Sequence, residues 1–172
     1  APNLAGFSLP ASNVAPVSGA IATLTAQIAG GLDYPDDPSD HHVLLDFNGT
    51  TLVEEWFDGI KARTLSADLD PSQIGTDNLV ESFLPADTLN GIDLVYVESI
   101  ELTYPRAFVA IGDQLTFNSD ADNFTVTGFS SNDIVIYSDT GGGIVQLSNF
   151  RVGSDSGGYA VRFAGTGGLA TY

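Results

Sequence analysis

Turn residues cut this chain into short pieces. Runs rich in Val, Ile, Phe and Tyr are broken about every eight to twelve residues by clusters of Gly, Ser, Thr, Asn and Asp. Only Pro71 to Ile74 has the makings of a single helical turn. A chain punctuated in this way buries its apolar residues by strand alternation. The expected fold is therefore all-β, an antiparallel β-sandwich or jelly roll, and not a parallel α/β sheet. No internal repeat of fixed period is present, which argues against a solenoid.

Individual runs support this. Between Ala20 and Ala29, Leu24, Ala26 and Ile28 alternate with Thr23, Thr25 and Gln27, the pattern of a half-buried strand. Gly30 to Asp40 (GGLDYPDDPSD) is a loop, because its prolines and aspartates do not fit a ladder. Val43 to Phe47 and Thr51 to Phe57 flank Asn48-Gly49, a dipeptide suited to a type I′ hairpin turn. Asp58-Gly59 closes a second tight turn. Ala62 to Leu69 and Asn78 to Leu84 follow as strands. The strongest alternation runs from Ile92 to Tyr104 (IDLVYVESIELTY). Its apolar side changes near Glu98-Ser99, which predicts a bulge there. Beyond it, Gln114–Phe117, Phe124–Phe129, Ile134–Tyr137, Ile144–Val152 and Tyr159–Ala164 read as strands. A soft boundary falls at Pro105-Arg106. Residues 1–105 form the jelly-roll-like sandwich; 106–172 either complete it or form a small appended β unit.

Charge narrows the partners. Five Lys plus Arg stand against 22 Asp plus Glu, a formal net charge of −17. Such a chain offers no basic stripe to nucleic acid or to an anionic membrane surface. It suits a saline setting or calcium held by carboxylates. There is no cysteine, hence no disulfide or thiolate metal site. No apolar run approaches the roughly 18 residues of a membrane-spanning helix. The start, Ala1-Pro2-Asn3, lacks Met and a signal h-region, as in a mature, trimmed or excised piece.

Several residues could carry chemistry. The loop residues Asp33, Asp36, Asp37 and Asp40 place oxygen donors close together, as a structural calcium site needs, although acidic loops are commonly just solvated. Asn118 to Asn123 is a second candidate of the same kind. His41 and His42, adjacent in a strand, point to opposite faces and do not share one ion. The expectation is one histidine packed inside and the other solvated. Sugar faces stack on exposed aromatic rings. Trp56, Phe57 and Tyr34 are the ligand-binding candidates, and one of Trp56 and Phe57 must face outward. The alternative is that Trp56 plugs the sandwich and Phe57 caps its edge. Glu54, Glu55, Glu98 and Glu101 could pair for acid–base work, but 22 acids guarantee accidental pairs. No nucleophile elbow or phosphate-binding loop is present, so an enzyme is not expected.

The stretch HHVLLDFNGTTLVEEWFDG, then DLVYVESIELTYPR, resembles a β-sandwich region that accompanies gingipain-like (C25-type) cysteine peptidase domains in large secreted prokaryotic proteins. VTGFSSNDIVIYSDT resembles the following portion of those proteins. The sandwich part is also similar to galactose-binding-like jelly rolls, which include many carbohydrate-binding modules. In those modules a final strand of D-x-x-x-x-[DE]-x-I-x-L character is common, and here Asp93, Glu98, Ile100 and Leu102 occupy it. A structural calcium is common in them too, so the resemblance adds Asp93 and Glu98 as metal candidates. With no cysteine, no peptidase nucleophile carries over. The resemblance implies a secreted or cell-surface accessory domain with a structural or adhesive role. Its partners would be neighbouring domains of a parent protein, with glycans or cell-surface polymers as candidate ligands.

Overall fold

The structure, a computed structural model, describes residues 3–15, 19–88 and 91–172. It is nearly all-β, with 57% of its residues in strands and 2% in helix, and its sheets are antiparallel. The chain divides into two compact units, Ala1–Arg106 and Ala107–Tyr172.

The first unit contains β1 (Asn3–Pro10), β2 (Ala22–Gly30), β3 (His41–Phe47), β4 (Thr50–Phe57), β5 (Ala62–Leu69), β6 (Asp77–Leu84) and β7 (Val95–Thr103). They form a 4-stranded sheet of order β1-β6-β3-β4 and a 3-stranded sheet of order β5-β2-β7. Leu24, Ala26, Ile28 and Leu65 from one sheet meet Val43, Leu45, Phe47 and Val80 from the other in one core. Each of the large aliphatic side chains fully buried there stabilises the sandwich by about 1.5–3 kcal/mol. The expected alternation of β2 holds at every position along its length.

Local turn chemistry sets the register. Asn48 and Gly49 take φ of 50° and 79°, as a type I′ turn demands, and return β3 into β4. On β7 the predicted bulge is present. Gln27 pairs with Ser99 and Ile28 with Val97, which leaves Glu98 as the extra residue. The slip lets Val95 and Val97 before it, and Ile100 and Leu102 after it, all pack against the core. Pro71–Gln73 is a single 3-10 turn, closed by a capping box between Asp70 and Gln73. The end of the unit is tied to the segment after β1. Val14 bridges Arg106, Ala15 N donates to Pro105 O at 2.8 Å, and Ser12 N donates to the Tyr104 hydroxyl at 3.0 Å.

The second unit contains β8 (Asn118–Ser119), β9 (Asn123–Phe129), β10 (Ile136–Asp139), β11 (Ile144–Leu147), β12 (Phe150–Asp155), β13 (Gly158–Ala164) and β14 (Ala170–Thr171). Its sheets run β11-β10-β14-β8 and β12-β13-β9. It has its own core, where Phe124 lies within 4.9–5.6 Å of the rings of Phe108, Phe117, Phe163 and Tyr172.

Three strand expectations change. The strand expected at Ile134–Tyr137 runs instead from Ile136 to Asp139. Gln114–Phe117 is not a strand: Gln114 bridges back to Ile111, and pairing resumes at its last residue, where Phe117 exchanges backbone hydrogen bonds with Tyr172 ahead of β8. Ile144–Val152 is two strands in different sheets, because the polar Ser148-Asn149 pair breaks it. The edge strand β1 and the two-residue β14 had no alternation strong enough to announce them.

Candidate functional site

Two features of the first unit meet around the start of β3. His41 and His42 begin that strand, and the pleat sends them to opposite faces. His41 is fully buried. Its Nδ1 lies 2.6 Å from Asp93 Oδ1, its Nε2 lies 3.2 Å from Leu32 O, and its ring packs 4.6 Å from Phe57. Gly30 makes room for it, since a Cβ at Gly30 would stand 2.5 Å from His41 Nε2 and collide with Gly59 O. The second oxygen of Asp93 accepts from His42 N at 2.9 Å, so one carboxylate with 4% exposure fixes both histidines.

One of the two histidines was expected in solvent, but His42 too is only 5% exposed. The cause is Trp56, its cross-strand partner on β4, which covers the imidazole in a parallel stack. His42 Nδ1 lies 2.9 Å from Asp87 Oδ1, and Nε2 lies 3.0 Å from Glu54 Oε1. Each histidine therefore meets an oxygen at both ring nitrogens.

This fixes the aromatic candidates. Trp56 is 45% exposed: one ring face is taken by His42, whose ring nitrogens meet exposed Glu54 and Asp87. Phe57 points inward instead. It is buried between His41 and the Arg63 guanidinium, 5.2 Å from the ring centroid, and offers no face to a ligand. Tyr34 is half-buried in the loop before β3.

The second feature is an acidic corner. Oxygens of Asp33, Asp40 and Asp58 lie within 4.8 Å of one another. Asp40 is fully buried and accepts from Tyr34 N at 3.2 Å and Gly59 N at 3.0 Å, tying the loop to the turn after β4. Lys61 Nζ lies 3.1 Å from Asp58 Oδ2 and offsets part of the charge. Carboxylates plus loop carbonyls are the donor set calcium takes, so the residues fit such an ion. Of the residues expected to bind metal, only Asp33 and Asp40 belong to this group. Asp36 is exposed, and Asp37 accepts from Ser39 N at 3.1 Å. Asp93 serves the histidines, and Glu98 stands exposed at the bulge. Along 118–123, Asn118 Oδ1 accepts from Thr171 Oγ1, and among the described residues no second acidic group of three forms.

Sequence reasoning missed Asp58 and Asp87. Asp58 follows directly from the Trp56-Phe57 pair, and its place in a tight turn was the available signal. Asp87 had none, because only the fold carries it to His42.

No known protein family, curated protein or solved structure matches this chain.

Proposed function

We propose that this chain is a non-catalytic accessory β-sandwich of a secreted multidomain protein, with a structural or adhesive role and a contact point at Trp56. The observation that carries this reading is the Trp56 ledge. A large ring is held flat on a buried histidine, with one face spent and the residue still 45% exposed. Held rigid in this way, the ring loses little conformational freedom on contact. The resemblance of the His41–Arg106 stretch to sandwiches beside gingipain-like peptidases supports the accessory role.

The acidic corner favours a second reading, a carbohydrate-binding module with a structural calcium at Asp33, Asp40 and Asp58. Both readings are tested by presenting the purified chain, with Ca²⁺ or with EDTA, to an array of glycans and cell-surface polysaccharides. Trp56→Ala is run beside it. Binding lost in a folded Trp56→Ala protein supports the contact point, and a Ca²⁺-dependent rise in Tm supports the module. A wild-type chain that binds nothing on the array removes the Trp56 contact and leaves a spacer.

A further inference from the structure

Trp56 does not stand alone on the outer face of the sheet β1-β6-β3-β4. Val43, Leu45, Phe47 and Val80 point from that sheet into the core. The pleat therefore turns Asp46 and Glu81, and with them Glu54 and Trp56, to the other side. Register sets these residues in rows. Trp56 lies opposite His42, Glu54 opposite Leu44 one row on, and Asp46 opposite Glu81 in the row after. Successive rows on one face are about 7 Å apart along a strand. An indole and two rows of carboxylates thus follow one another along the strands. Leu4 and Leu79, 58% and 44% exposed, add apolar surface to the same face.

The charge on this face has one sign. None of the four strands contains a Lys or an Arg. Asp46 and Glu81 oppose each other across the ladder, where like charges repel. Asp46 is only partly exposed, and its Oδ1 is buried with no hydrogen-bond partner among the described residues. A positively charged donor held against this pair relieves the repulsion and supplies the bond that the acceptor lacks.

Charge complementarity selects the ligand. A chain of net charge −17 repels an anionic polymer. A neutral sugar stacks on an indole but leaves both carboxylate rows without a counter-charge. An amine answers both, because a cation is drawn to an aromatic ring as well as to carboxylates. A peptide strand docks by its backbone at a sheet edge, whereas these groups lie on the face and favour a chain of rings. The rows extend over about 14 Å, so a polymer reaches all of them and a single amine does not. Building on the Trp56 contact, we infer that this face binds a cationic amino-sugar polymer. One ring stacks on Trp56, and the amines lie along Glu54 and the Asp46–Glu81 pair.

The test uses two sugars with the same rings and linkage. A glucosamine hexamer carries free amines, and its fully N-acetylated counterpart is neutral. Titrations of the full chain are run in dilute, mildly acidic buffer, where the amines are charged. Trp56 is the single tryptophan, so its emission reports the contact directly. The glucosamine hexamer should bind saturably, at least about tenfold tighter than the acetylated one, and weaken as salt is added. By calorimetry, Trp56→Ala should lose about tenfold or more in affinity for it. Glu54→Gln with Glu81→Gln should weaken the charged sugar by about tenfold and leave the neutral one unchanged. Glu81→Gln alone, which leaves His42 untouched, should show a smaller loss of the same kind. Equal binding of the two sugars, both dependent on Trp56, overturns the cationic class while the Trp56 contact stands. Charged-sugar binding that survives Trp56→Ala, or that hexalysine matches, reflects net charge only and overturns the site. Binding of neither sugar also overturns the inference, and the glycan array then decides the Trp56 contact by itself.

Discussion

The indole of Trp56 lies on the imidazole of His42 with ring centroids 3.7 Å apart and planes 13° from parallel. The pair sits directly across the β3–β4 ladder, so the hairpin register holds the stack in place. Trp56→Ala should remove about 1 kcal/mol of stacking and leave the fold intact, while Trp56→Phe should restore most of it. Urea unfolding monitored by far-UV circular dichroism checks this. A midpoint shift at constant m is expected, and an unchanged Trp56→Ala midpoint would mean the stack contributes nothing.

Asp93 should matter far more than its neighbours in the acid-rich first unit. It is buried and receives His41 Nδ1 and His42 N together. Asp93→Ala orphans both donors and should cost about 3 kcal/mol or more. Asp36→Ala, at an exposed position, should stay within about 0.5 kcal/mol of wild type. Parallel thermal melts of the two variants give the comparison, and similar losses would contradict this account of Asp93.

Acid should act on the second unit through Asp113. Its carboxyl is held below the ordinary value of 3.8, first by the Ser130 hydroxyl and then by the Ser130 N–H. A lowered folded-state value means that the unfolded chain takes up the proton first. The stabilisation is therefore fully present above the ordinary carboxylate range and is lost as pH falls through the lower, folded value. Asp113→Asn should differ from wild type by a constant amount from pH 5 to 8, and the two should converge in stronger acid. Melting curves across pH test it; a gap that widens on acidification would reverse the sign.

Salt should stabilise the protein. Asp46 and Glu81 face each other directly across β3 and β6, and like charges so placed repel. Against a net charge of −17, NaCl should raise Tm steadily from dilute buffer. Glu81→Gln should raise Tm at low salt and flatten the response. A salt response identical to wild type would show that the pair adds nothing.

Much of the first unit could be read from the sequence because its signals are local. Asn48-Gly49, the alternation of β2 and the change of side at Glu98 are each written within a few residues. The choice between Trp56 and Phe57 was not. Alternation says that they face opposite ways, but only the pairing of β4 with β3 says which way is out. The burial of His42 was hidden for the same reason, since its covers come from Trp56, Glu54 and Asp87 on other parts of the chain. Short strands such as β8 and β14 carry too few residues to show a period.

The tie between Val14 and Arg106 has a mechanical consequence. Chain enters the first unit through β1 in one sheet and leaves after β7 in the other. A pull applied between those two points acts on the β1–β6 ladder at one end, and at the other on the small clamp of Val14, Ala15, Pro105 and Arg106 before it reaches the β2–β7 ladder. Once the clamp lets go, the strands exposed to the load are β1 and β7, each with a partner on one side only. The clamp thus behaves as a latch, and stretching the unit would release its two terminal edge strands while leaving the β3–β4 hairpin that holds Trp56 for last.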